Sequence, residues 1–249
     1  MASLRARWAR DELVHACWLT LPDPLAAEIL ARQGWPALVV DLQHGAVDDG
    51  HALGMLQALR GTGCAPLVRI PWPEPAAAMR ALDRGAEVVI APMIEGAAQA
   101  ARFVEACLYP PLGARSWGPV RAGLEDPAAY AAAANDVVVP IVQIETLGAL
   151  EELDALLALP GLGGVFVGPN DLGWALGHGP GSDREEPELV ALFQDIARRA
   201  RAAGRLAGIH CGSPAHARRM AVAGFRLITI GSDASLLARG GQALLAALG

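Results

Sequence analysis

Val137-Val138-Val139-Pro140-Ile141-Val142-Gln143-Ile144-Glu145-Thr146, a helical stretch over 147–157, and Gly164-Val165-Phe166-Val167-Gly168-Pro169-Asn170-Asp171-Leu172 read together as one strand–helix–strand unit. The two apolar runs are short, and their composition reads as buried parallel strands. A period of two points Gln143 and Glu145 to one face. A carboxylate on a face otherwise filled by Val and Ile is costly to bury unless a cation or a donor meets it. Glu145 and Asp171, at the ends of neighbouring strands with the Gln143 amide beside them, suit an open site for a hard divalent ion.

Outward from this unit the same pattern recurs. Strands are predicted at 17–21, 37–41, 65–70, 87–91, 137–144, 164–167, 205–209 and 226–230, with helices at 24–33, 48–60, 75–84, 96–106, 147–157, 185–203, 213–223 and 233–248. Asp48, Ser213 and Asp233 stand where N-caps are needed, and Gly34, Gly85, Gly204 and Gly224 stand where helices stop. Eight strands alternating with eight helices predict an α/β fold of the (β/α)8 TIM-barrel type, with residues 1–249 as one domain. A doubly wound open sheet is the alternative, but no G-x-G-x-x-G follows an early strand.

Composition narrows the function. The chain is 53% hydrophobic and 18% charged, enough for a sizeable core, and its net charge of −6 leaves no electrostatic footprint for nucleic acid. The polar, Arg-rich first residues lack an apolar signal region and no run approaches a membrane span, so a soluble, cytoplasmic protein is expected. Cys17, Cys64, Cys107 and Cys211 show no metal or redox spacing and read as buried free thiols. All 20 basic residues are arginine. Without lysine there is no Schiff base with a carbonyl substrate or pyridoxal phosphate, and no P-loop lysine.

A barrel gathers its functional residues just after its strands. Asp41-Leu42-Gln43-His44 follows the second predicted strand, Arg69 ends the third, Gln143 and Glu145 close the fifth, Asn170-Asp171 follows the sixth and His210 the seventh. His210-Cys211 is no nucleophile pair, because adjacent strand residues point to opposite faces. His15, His51, His178 and His216 are expected on helices or loops, in solvent. The loop over 109–119, rich in Pro and Gly, carries Arg115 and Trp117, which could reach a neighbouring subunit or the mouth.

Six blocks occur in order: Asp41-x-x-His44-Gly45, Val68-Arg69-Ile70-Pro71-Trp72, Leu82-Asp83-x-Gly85-Ala86, Tyr109-Pro110-Pro111-x-Gly113-x-Arg115-Ser116-x-Gly118, Gln143-Ile144-Glu145-Thr146 and Gly168-Pro169-Asn170-Asp171-Leu172. Together they resemble the HpcH/HpaI aldolases, the metal-dependent class II pyruvate aldolases related to 4-hydroxy-2-oxoheptanedioate aldolase, from about Trp18 to Ala238. The resemblance implies a divalent cation (Mg2+, Mn2+ or Co2+) on Glu145 and Asp171, with Gln143, Pro169 and the Asn170-Asp171 backbone around a 2-oxo acid. It further implies Arg69 at the ketone oxygen and His44 as general base, oriented by Asp83 or Asp41. Trp18 and His210 would line the substrate pocket. A hexameric homo-oligomer with an exchanged C-terminal helix is implied too.

The residues reach the same chemistry independently: cleaving a bond beside a ketone needs an electron sink, and without lysine a Lewis-acid metal remains. Two departures bear on substrate. Gln43 stands where many diacid-specific relatives carry Glu, and His210 where relatives often carry an apolar residue. The expected reaction is reversible aldol cleavage of a 4-hydroxy-2-oxo acid to pyruvate, or a related 2-oxo acid, and an aldehyde. The alternatives are a CoA-ester lyase of the citrate lyase β type and a non-catalytic binding barrel.

Overall fold

The computed structural model describes residues 3–249. Eight parallel strands close into a barrel in chain order, with the eighth paired to the first. They are β1 (Val14–Leu19), β2 (Ala37–Asp41), β3 (Ala65–Arg69), β4 (Val88–Ala91), β5 (Val139–Ile144), β6 (Gly164–Val167), β7 (Leu206–Cys211) and β8 (Leu227–Ser232). The predicted β2 and β6 keep their bounds; β1 and β7 do not. β1 begins at Val14 because Val14 pairs with Leu227 of β8, which places His15 in a strand and not in a helix or loop. β7 runs on through His210 and Cys211 because these residues pair with Thr229 and Ile230 of β8.

The helices are α1 (Leu4–Trp8), α2 (Pro24–Arg32), α3 (Asp49–Ala58), α4 (Pro75–Asp83), α5 (Ala97–Cys107), α6 (Pro127–Val137), α7 (Leu147–Glu151), α8 (Leu153–Leu157), α9 (Pro169–Ala175), α10 (Pro187–Ala202), α11 (Pro214–Val222) and α12 (Asp233–Ala247). Three were not expected. α1 starts at Ser3, whose hydroxyl accepts from Ala6 N, and buries Leu4 against the inside of the barrel. α6 is an Ala-rich helix capped by Asp126 with Pro127 in its first turn, the usual start signal of a helix. α9 holds Asn170 and Asp171 in its first turn. The single helix predicted over 147–157 is instead α7 and α8, meeting at Glu152.

Strand parity sorts the core into two layers. Ala16, Val39, Leu67, Val88, Ile90, Val139, Ile141, Phe166, Leu206 and Leu227 fill the lumen, while Cys17, Leu38, Val40, Val68, Val142 and Val167 pack outward under the helices. A barrel is therefore packed through its centre, not hollow. Phe166 fits because Gly208 faces it: a Cβ there would lie 2.6 Å from the Phe166 ring. Cys211 belongs to the outer layer and His210 does not, as alternation requires.

All four cysteines are buried and free. Burial pushes the thiols of Cys17, Cys64 and Cys211 up to about 12, far from the thiolate form that reacts. Native protein at pH 8 is expected to leave all four thiols unmodified by a disulfide reagent over minutes, and to titrate four after denaturation. Fast modification of one thiol in the native state would contradict the packing.

α12 packs by its first turn. Asp233 accepts from Thr20 N at 2.8 Å, Thr20 Oγ1 at 2.7 Å and Leu21 N at 3.0 Å, tying the helix start to the end of β1. Beyond that turn Leu237, Leu244, Leu245 and Leu248 are exposed. Among the described residues, no helix is long and apolar enough to cross a membrane.

Candidate active site

The inward parity that fills the lumen with Val39, Leu67 and Ile141 continues upward to Asp41, Arg69 and Gln143, and then to Glu145 just past β5. The same parity brings Trp18 from β1 and His210 from β7. These side chains line a cavity of about 510 Å3 at the C-terminal mouth, together with His44, Pro169, Asn170 and Asp171. That size suits a small metabolite.

Glu145 is buried and held at both oxygens. Oε1 accepts from Met93 N at 2.7 Å, and Oε2 accepts from Gln143 Nε2 at 2.6 Å. Met93 reaches that position in the left-handed region, with φ 50°, a conformation a long side chain seldom adopts. Burial, reinforced by the Asp171 charge, pushes the Glu145 carboxyl up to about 7. Gly168 makes room for it: a Cβ there would lie 2.2 Å from Glu145 Oε2.

Arg69 and Asp41 form a two-pronged ion pair across β3 and β2. Arg69 Nε donates to Asp41 Oδ1 at 2.9 Å, and Nη2 donates to Oδ2 at 2.7 Å. Asp41 Oδ1 also accepts from the main-chain N of Gln43 at 3.1 Å and of His44 at 3.3 Å. Asp41 thus shapes the turn that carries His44 and fixes Arg69, and it reaches His44 only through the main chain. The guanidinium lies over the Trp18 ring, 4.3 Å from its centroid, a favourable cation–π placement.

Asp83 departs from expectation. Helices run back against the strand direction, so the last residue of α4 lies at the opposite end of the barrel from the mouth. There Asp83 accepts from Arg115 Nη2 at 2.7 Å, and within this chain it does not line the cavity with His44. Arg115 is buried over the Tyr109 ring at 4.5 Å and does not reach the mouth of its own barrel; Trp117 beside it is exposed.

The residues fit a divalent cation by their donor chemistry. Two carboxylates face one cavity, one of them buried without a compensating cation, and Gln143 Oε1 is sealed from solvent without a partner. Among the described residues no cluster of three or more His, Cys, Asp or Glu could hold an ion. Glu145 and Asp171 would therefore leave most of the coordination sphere to water and substrate oxygens, as Mg2+-type sites do.

Residues 15–240 match the HpcH/HpaI aldolase/citrate lyase family. The chain belongs to that family. The hydroxypyruvate/pyruvate aldolase of Rhizorhabdus wittichii is 39% identical over 246 residues, 99% of this chain and 98% of that protein. The 4-hydroxy-2-oxo-heptane-1,7-dioate aldolase of Klebsiella pneumoniae is 36% identical, over 92% of this chain and 87% of that one. A solved HpcH/HpaI aldolase/citrate lyase family protein from Burkholderia cenocepacia superposes with a TM-score of 0.90 at 33% identity, covering 98% of both chains. The family is in general divalent-metal dependent.

Several cavity residues were missed. Thr20, Ser232 and Ser235 come from the ends of β1 and β8 and from α12, and Arg239 leans in from an exposed turn of α12. The Gly231-Ser232 pair, just past the predicted eighth strand, was a usable signal; Arg239 had none. His216, expected in solvent, is buried on the inner side of α11, the helix it belongs to.

Gly168 offers a direct test of the geometry around Glu145. Gly168→Ala is expected to push the Glu145 carboxylate off Gln143 and Met93 and weaken Mn2+ affinity about 10–100-fold, read by calorimetric titration. Unchanged affinity would show that Glu145 need not be held where it is.

Proposed function

We infer that this chain is a divalent-metal class II aldolase that reversibly cleaves a 4-hydroxy-2-oxo acid to an aldehyde and pyruvate or a closely related 2-oxo acid. Membership of the family, with relatives named as aldolases, supports this reading. The single observation that carries the site is the buried Glu145 facing Asp171 across one cavity with Arg69 and His44. A divalent cation held by Glu145 and Asp171 would supply Lewis-acid polarisation of the ketone.

The chain's own residues do the rest. Asn170 and Asp171 present first-turn N–H groups of α9, which have no partner within the helix and suit the substrate carboxylate. Pro169 sets the start of that turn, and Gln143 offers its free amide oxygen beside Glu145. In the cleavage direction the C4 hydroxyl gives its proton to His44, the C3–C4 bond breaks, and its electron pair passes into the 2-oxo acid enolate. Arg69, fixed by Asp41 and Trp18, places its guanidinium by the enolate oxygen. The aldehyde leaves, and C3 is reprotonated.

The partners are small molecules: a 2-oxo acid and an aldehyde. The exposed leucines of α12 support a homo-oligomer in which a second copy covers that helix, the expected hexamer, readable by light scattering. Four buried free thiols suit the reducing cytoplasm. The experiment is an assay of Mn2+-loaded protein with pyruvate or hydroxypyruvate and a panel of aldehydes. Formation of aldol product that stops with chelator supports the reading; no product with any pair, or cleavage of malyl-CoA in its place, would sink it.

A further inference from the structure

We propose that His210 is a specificity-determining hydrogen-bond donor, held by Trp18 as the Nε2–H tautomer, that selects 2-oxo acids carrying a hydroxyl on the carbon that forms the new bond. The inference rests on the aldolase reading and deepens it. Its evidence is the pattern of donors around one ring.

Trp18 Nε1 lies 3.2 Å from His210 Nδ1. An indole N–H can only donate, so Nδ1 must present a lone pair. Thr229 Oγ1, across the β7–β8 pair, lies 3.0 Å from the same nitrogen, and a hydroxyl turns to donate as readily as to accept. With Nδ1 the acceptor, the ring proton of a neutral imidazole sits on Nε2. Burial and the nearby Arg69 charge lower the imidazole to about 4, so the ring is neutral at physiological pH. A neutral Nε2–H ring is neither a base nor a cation at that atom; it is a single donor.

That donor has no partner among the described residues, and His210 lines the cavity. The Trp18 ring meets the His210 ring at 6.2 Å and the Phe166 ring at 6.1 Å between centroids, and neither aromatic ring offers a hydrogen-bond acceptor to the N–H. The same indole carries the Arg69 guanidinium over its face. One side chain therefore packs against both the group set for the ketone oxygen and the His210 ring, which keeps that ring in the same part of the cavity as Arg69. A substrate with only hydrogen on C3 brings that donor no acceptor, whereas a C3 hydroxyl accepts from it.

The test uses Mn2+-loaded enzyme and a fixed aldehyde. The ratio of kcat/KM for hydroxypyruvate over pyruvate is expected to fall about tenfold or more in His210→Phe and to recover in part in His210→Gln, whose amide N–H replaces Nε2–H. Independently, 15N spectra of wild-type protein should show a pyridine-like Nδ1 and a pyrrole-like Nε2 for His210. An unchanged ratio in His210→Phe, a pyrrole-like Nδ1, or a loss that instead follows an α-hydroxyl on the aldehyde overturns the proposal. Wild-type enzyme that turns over neither 2-oxo acid fails the aldolase reading itself, before any variant is made.

Discussion

Glu145→Gln is expected to lower aldol turnover at least about a thousandfold while making the metal-free protein more stable at pH 8. The activity loss follows from removing one of two carboxylates available to the cation, since Lewis-acid stabilisation of about 4 kcal/mol corresponds to that factor. The stability gain follows from burial. Glu145 sits with both oxygens on neutral donors, and its carboxyl is pushed up to about 7. An ordinary carboxyl titrates near 4.3 in the unfolded chain, so the native state holds the proton more tightly. The stabilisation tied to that proton is complete below about pH 4 and is lost as the pH rises through about 7. Metal-free wild type should therefore lose up to about 3 kcal/mol between pH 5 and pH 8 through this group, and Glu145→Gln should not. Thermal unfolding in chelator at the two pH values measures it; a variant less stable than wild type at pH 8 would contradict the account. Gln143 can rotate its amide to face the new one, so the exchange keeps the hydrogen bonds.

Arg69→Met should both unfold and inactivate, and the two effects should separate. Asp41 is 2% exposed and takes both prongs of the guanidinium, so removing Arg69 leaves a buried carboxylate without its cation. That costs about 3–5 kcal/mol, a fall in Tm on the order of 10 °C for a domain of this size. Adding Asp41→Asn removes the stranded charge and is expected to restore most of the melting temperature. Turnover is not expected to return, since the guanidinium at the ketone oxygen is still missing; a double variant that recovers both would reduce Arg69 to half of a structural pair.

Much of the site was legible because strand alternation is a local rule. Once the apolar runs ending at Asp41, Arg69 and Ile144 are taken as barrel strands, parity alone turns Asp41, Arg69, Gln143 and Glu145 inward at one end. Helix ends were equally local, as the caps at Asp48 and Ser213 demonstrate. α1 and α6 escaped because short or Ala-rich segments carry little periodicity, even though Ser3 and Asp126 cap them. The place of Asp83 was not legible for a different reason. A motif position says nothing about which end of the barrel a helix terminus occupies, and Asp83 ends against Arg115, 32 residues along the chain.

The chain by itself determined the eight-stranded barrel, the inward rim of carboxylates and arginine, and the absence of any lysine that could form an iminium. Each of these follows from residue type and period. Only the tertiary structure decided what those groups touch: Met93 on Glu145, Asp41 on Arg69, and Trp18 on a histidine 192 residues away. The physical reason is the pairing of neighbouring strands, β2 with β3 and β4 with β5, and for Trp18 and His210 the closure of the ring. Joining β8 to β1 brings side chains from opposite ends of the sequence within hydrogen-bonding distance, and those contacts set the charge and the tautomer with which each residue acts.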